Sequence, residues 1–265
     1  SPRMRLVATA VSAAIAIATL NSTIQRTAII PVDWLISNLP FLAPALTVLV
    51  VAGIANSINI IDGFNGLASM CVTMMMGAVG YVAFLLGDSF LLLASLIGIG
   101  AVLGFFVWNY PAGLIFLGDG GAYFLGFWVA ELGLLLIHRH PEVSPLFPLL
   151  ICGYPIFETL FSIYRRKFVR GVAVGAPDGI HLHTLVYRRL MRKAIGAQNA
   201  RALTSQNSMT SPYLWSLCAL SIVPAVLWWD NTAALTIFIV LFMITYVGLY
   251  WRIVRFKTPK WLVRK

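Results

Sequence analysis

VVAGIANSINIIDGFNGL, residues 50–67, runs from an unbroken apolar stretch into two asparagines, an aspartate and a glycine-bounded turn. Its first half ends an apolar run of bilayer-crossing length, roughly 17 to 25 residues. Runs of this kind recur at about 4–20, 39–57, 67–86, 90–108, 121–137, 146–164, 212–229 and 232–251. They are continuous, whereas strands of a transmembrane barrel would alternate. With 60% apolar and 11% charged residues and a mean hydropathy of +0.87, the chain is read as an all-α, polytopic membrane helical bundle of about eight spans.

The basic residues set the orientation. Of 19 Lys and Arg, all but Arg26 and Arg139 fall in the segments on one side, which the positive-inside rule makes cytoplasmic, with both termini. The net charge of +10 therefore reports topology first and attraction to anionic lipid or substrate second. Nucleic acid is not implied. Cys71, Cys152 and Cys218 all lie in predicted spans, which suggests no disulfide framework.

Three clusters of polar residues face the cytoplasmic side, while the outer connections LLGDSF and HRHPEVSP read as ordinary polar turns. In the first cluster Asn56, Asn59 and Asp62 are spaced to share one helix face, and Gly63 is expected to end that helix in the left-handed conformation. Such a face could hold a metal, a metal-bearing phosphate or a sugar, or it could be a capped helix end facing water. In the second cluster, NYPAGLIFLGDGGA, Asp119 sits among Gly118, Gly120 and Gly121 before an apolar span. Backbone N–H groups there can meet an anion, and the aspartate suits Mg²⁺; a tight turn with a capping Asp is the plainer alternative.

The third cluster, within the large loop 165–211, carries Asp178, His181 and His183 between Arg165, Arg166 and Arg188 with their basic neighbours. Two histidines at i and i+2 do not share a helix face, so an extended or turn segment before a short basic helix is expected. Anion binding by imidazole and guanidinium groups fits better than zinc, for which a third ligand is missing. A basic loop lying on the bilayer surface would explain the arginines but not DGIHLH. Two intramembrane acids remain, Glu131 and Glu158, each open to a relay role or to a structural contact.

In this order NSINIIDGFNGL, FLGDGGAYFLG and PDGIHLHTLVYRR resemble the polyprenyl-phosphate N-acetylhexosamine-1-phosphate transferases, and the likeness extends over the whole chain. The resemblance implies transfer of a sugar 1-phosphate from a UDP-amino sugar to undecaprenyl or another polyprenyl phosphate, with release of UMP, at the cytoplasmic face of a bacterial inner membrane. Mg²⁺ would be the cofactor, with Mn²⁺ able to replace it, and the partners would be the lipid phosphate, the UDP-amino sugar and the bilayer; homodimerisation stays open. It implies catalytic roles for Asp62, Asp119, His181 and His183, metal binding by Asp119 and Asp62, and substrate contacts from Asn56, Asn59, Asn65, Gly120, Asp178, Arg165, Arg166 and Arg188. The His-Leu-His spacing resembles the branch that starts O-antigen and related lipid-linked glycans, which favours UDP-N-acetylglucosamine over the UDP-muramoyl peptide.

Two departures stand out. Thr184 follows His183 where the family motif usually carries another histidine, and the chain has no Asp-Asp pair. The family's Asp-Asp loop precedes a segment like SPRMRLV, so the expectation is that about three spans lie upstream and that these eight are the last of about eleven. A membrane transporter and a non-catalytic relative are the competing readings. Polar groups at span ends rather than at mid-membrane, without internal repeats, speak against the first.

Overall fold

The computed structural model describes residues 2–171, 179–191 and 200–255. Among these residues eleven helices form the bundle: α1 (Pro2–Leu20), α2 (Ile30–Asn38), α3 (Leu42–Ile61), α4 (Leu67–Leu85), α5 (Ser89–Asn109), α6 (Gly118–Arg139), α7 (Leu146–Ile151), α8 (Gly153–Tyr164), α9 (Leu182–Val186), α10 (Ala200–Leu227) and α11 (Thr232–Val254). Six are long and apolar enough to cross a membrane: α3, α4, α5, α6, α11 and residues 202–227 of α10. The chain is thus an all-α polytopic membrane bundle. α3, α4 and α6 form its centre, whereas α5 and α11 turn apolar side chains such as Leu93, Ile97, Ile237 and Ile244 outward, as lipid-facing helices do.

Two predicted spans differ in the structure. The run 146–164 is two helices broken at Cys152, where Gly153 begins α8 and Pro155, lacking an N–H, cannot bond back into α7. α10 begins twelve residues before the predicted 212, because the polar stretch Thr204–Ser211 is helical too. Three of its side chains turn to the protein rather than to water: Asn207, Ser208 and Ser211 bond to the 62–66 and 110–117 turns. The short α2, which apolar run length does not reveal, starts with Pro31 in its first turn.

The end of α3 also departs from expectation. Gly63 is not left-handed; its N–H bonds to the Ile61 carbonyl at 2.8 Å in a tight turn. The left-handed residue is Gly66, φ +74°, which opens α4, and a Cβ there would sit 2.8 Å from the Tyr110 ring. Glycine is required at position 66 on both counts.

At the opposite end of the bundle the two outlying arginines have structural partners. Arg26 donates to the carbonyls of Ile137, His140 and Val143, the last at 2.6 Å, and so caps the C-terminus of α6. Arg139 Nε donates to Asp88 Oδ2 at 2.6 Å and His140 Nε2 lies 3.0 Å from the same oxygen, while Asp88 Oδ1 caps α5 by accepting the Leu91 N–H at 3.1 Å. The turns LLGDSF and HRHPEVSP are therefore one joined cluster rather than two independent loops.

Burial alone would raise the Asp88 carboxyl, but hydrogen bonds from Arg139, His140 and Leu91, with the Arg139 charge, reverse this and hold it at about 2 against an ordinary 3.8. A depressed carboxylate stabilises the fold above its unfolded value and loses that contribution as pH falls towards the folded one. Asp88→Asn is expected to cost about 2 kcal/mol at neutral pH. Thermal unfolding in detergent should show the gap between variant and parent narrowing as pH falls below about 4.

Candidate active site

The site is built where α3 and α6 touch. Gly126 of α6 faces Ala55 of α3 so closely that a Cβ at 126 would lie 2.6 Å from the Ala55 Cα. One side-chain layer closer to the helix ends, the Tyr123 hydroxyl donates to Asn56 Oδ1 at 3.1 Å, and Asn59 Nδ2 donates to Asp119 Oδ1 at 2.9 Å. Asp119 lies in the first turn of α6, where the helix dipole favours a carboxylate. Its Oδ2 accepts from Arg5 of α1 at 2.6 Å, with both side chains nearly half exposed. Such a pair adds little stability and is readily exchanged.

Asp62 follows the last turn of α3 and lines the same cleft, of about 380 Å³, as Asn59, Phe64, Asn109, Phe116, Asp119 and Asn207. Its carboxyl is pushed up to about 6, first by burial and then by the negative charge of Asp119. Two carboxylates in mutual repulsion beside amide oxygens form a hard-oxygen donor set, which fits Mg²⁺. Among the described residues no three His, Cys, Asp or Glu groups cluster to hold a metal by themselves. A cation here would complete its shell with substrate phosphate oxygens and water, as Mg²⁺ commonly does.

Amides frame the cleft. Asn109 Oδ1 accepts the Gly66 N–H at 2.6 Å while its Nδ2 donates to the Ile115 carbonyl at 2.7 Å, tying the turn after α3 to the one before α6. Asn65 is buried: its N–H donates to Asn207 Oδ1 at 2.8 Å, its Nδ2 to Ser208 Oγ at 3.2 Å, and its carbonyl accepts from the Ser211 hydroxyl at 2.6 Å. On its other flank Asp119 borders a groove of about 390 Å³ between α1 and α6, lined by Ala8, Thr9, Phe124 and Phe127 together with Gly120 and Arg5. Asp119 thus stands between a polar cleft and an apolar groove.

The histidines of the third cluster reach the rim of the cleft through His183. His181, in extended backbone, precedes α9, and His183 is inside it, so the rings stack at 5.2 Å between centroids and 12° between planes. His183 meets Phe64 edge-on, and its Nε2 comes within 3.3 Å of where a Cβ on Gly63 would be. The glycine beside Asp62 serves this close approach. Arg165 lies elsewhere: it is buried, with Nη1 donating to the Ile180 carbonyl at 2.9 Å and the Tyr250 hydroxyl at 2.6 Å. Arg166 is half-buried in the π-helical turn after α8, and the exposed Arg188 lies over Gly179. Asp178 lies outside the described residues.

Arg5, Tyr123, Asn109 and Asn207 belong to this site although no local motif singles them out. Each meets its partner across dozens of residues of sequence, and only Asn109, polar at the end of a long apolar run, carries a visible signal.

A helical membrane protein with paired carboxylates, amides and stacked imidazoles gathered at one end of its bundle is the class that fold and site define. Residues 1–137, just over half the chain, match the profile of Glycosyl transferase family 4, and the chain belongs to that family. It is similar to the probable undecaprenyl-phosphate N-acetylglucosaminyl 1-phosphate transferase of Bacillus subtilis (strain 168), at 33% identity over 215 residues, 79% of this chain and 55% of that protein. It is also similar to the phospho-N-acetylmuramoyl-pentapeptide-transferase of Streptococcus pneumoniae (strain Hungary19A-6), at 38% identity over 137 residues, 50% of this chain and 40% of that protein. The chain spans about half the length of these curated relatives.

The α3–α6 contact yields a test of the site's scaffold. Gly126→Val is expected to force the helices apart and cost about 1–3 kcal/mol. Gly53→Ala, on α3 with nothing within 4 Å of the added carbon, should be neutral or slightly stabilising. Thermal unfolding of the two variants in detergent separates packing from helix propensity.

Proposed function

We propose that the protein transfers a sugar 1-phosphate from a UDP-N-acetylhexosamine to a polyprenyl phosphate, releasing UMP and beginning a lipid-linked glycan. The observation that carries this reading is Asp62 and Asp119 lining one polar cleft while Asp119 also borders an apolar groove. That arrangement suits a nucleotide sugar arriving from water and a lipid phosphate arriving from the bilayer. An oxygen of the lipid phosphate attacks the β-phosphorus of the UDP-sugar, a new P–O–P linkage forms, and the bond to the bridging oxygen breaks with its electron pair leaving on UMP.

Both reactants are anions, so neutralising and aligning them is the main task. Mg²⁺ held by Asp119 and Asp62 would supply charge neutralisation when bound. Asn59 keeps Asp119 aimed into the cleft, Tyr123 steadies Asn56, and His181, stacked on the buried His183, offers a ring nitrogen to a pyrophosphate at the rim. Arg5, half exposed beside Asp119, would offer its guanidinium to a phosphate if a cation took its place on the carboxylate. The eight apolar runs then act as eight crossings with α7 and α8 sharing one, the site faces the cytoplasm where the basic residues gather, and the location is the bacterial inner membrane.

N-acetylglucosamine is the favoured sugar. The His-Leu-His spacing supports it, as does the longer stretch of similarity to the N-acetylglucosaminyl 1-phosphate transferase than to the muramoyl-pentapeptide enzyme.

The test uses the complete protein in vesicles with polyprenyl phosphate and a panel of UDP-sugars, measuring UMP release with and without Mg²⁺. Release is expected from UDP-N-acetylglucosamine and not from the UDP-muramoyl peptide. Asp119→Asn should lower the rate by at least about 100-fold with expression intact, and His181→Ala should impair it strongly. Undiminished turnover in Asp119→Asn would sink the metal assignment.

A further inference from the structure

Glu158 lies in the middle of α8 with its side chain 1% exposed, an acid where the bilayer would ordinarily exclude one. Three donors from two other parts of the chain converge on it. Oε1 takes His181 Nδ1 at 2.9 Å and the Leu182 N–H at 3.1 Å, and Oε2 takes the Tyr246 hydroxyl of α11 at 2.9 Å. An ionised carboxylate only accepts, and a three-donor set is the environment such a group requires when buried.

Holding α8, α9 and α11 together does not by itself call for a carboxylate, since well-packed apolar side chains join helices at least as well. What the carboxylate adds is direction. With Nδ1–H committed to Glu158, the proton of the neutral ring is fixed on that nitrogen and Nε2 is the one that can address a substrate. The Leu182 N–H, on the same oxygen, fixes the main chain immediately after His181. The ring so held stacks on His183, which reaches Gly63 beside Asp62.

We propose that Glu158 is a positioning residue for the transfer reaction, setting the orientation and proton placement of His181 and, through the stacked pair, of the imidazoles at the rim of the cleft. The proposal rests on the transferase reading for its catalytic part, and its geometric part stands apart from it.

Two measurements test it on the complete protein. Nitrogen-15 spectra of the His181 ring should show Nδ1 protonated in the parent and an altered signal in the isosteric Glu158→Gln variant; an unprotonated Nδ1 in the parent, or no change on substitution, overturns the proposal whatever the turnover. In the UMP-release assay Glu158→Gln should lower kcat about 10–100-fold with little change in KM for the UDP-sugar. In a His181→Ala background the same substitution should lower kcat no further. Unchanged kcat in Glu158→Gln, or an equal loss in both backgrounds, returns Glu158 to a purely structural role. Absence of UMP release from the parent would overturn the transferase reading and the catalytic part with it, leaving the spectra to decide the ring's orientation.

Discussion

Everything in the polar end of this bundle depends on how closely α3 approaches α6. With only a hydrogen at position 126, the Ala55 backbone can lie where a side chain would otherwise intrude. That contact sets the spacing of the two helices, and the residues one and two turns further along then meet at hydrogen-bonding distance. Asn56 faces Tyr123 and Asn59 faces Asp119 because the apolar layer beneath them leaves no slack. A dense interior transmits such a constraint efficiently, since packed side chains have few alternative arrangements. The electrostatics follow from the packing: Asp62 is raised because it is buried and because the same approach brings Asp119 near it.

The bundle's long helices were legible wherever the run of apolar residues was itself long. α3, α4, α5, α6 and α11 needed nothing beyond hydropathy, because backbone groups in a bilayer must bond within their own helix. The exceptions have local causes. Pro155 divides one run into α7 and α8, and the polar start of α10 was hidden because its Asn and Ser side chains serve other loops rather than water. Hydropathy cannot distinguish a polar residue that meets solvent from one that meets another strand of the chain.

The candidate site shows the same division. Asn56 and Asn59 could be read from helical spacing, and Asp119 from its glycines, since those signals are local in the chain; Asp62 stands just past the end of that helix rather than on its face. The juxtaposition of Asn59 with Asp119, of Arg5 with Asp119, and of His183 with Gly63 could not, because each joins separate helices or turns. Gly63 was expected to serve the backbone conformation; it serves the approach of an imidazole instead, and the left-handed turn is made at Gly66. Arginines grouped by sequence also part company in space. Arg165 is turned inward to Tyr250 and Ile180, while Arg188 remains on the surface.

The frame of the cleft is made from Asn65, Asn109, Asn207 and Ser208, none of which carries charge at any pH that the fold survives. Its dimensions are therefore uncoupled from its titration. The Asp62 carboxyl can take up or release a proton while the walls keep their span, much as a socket of neutral ceramic keeps its bore as current changes. A cleft built the other way, with ion pairs as its struts, would widen or collapse with each change of load.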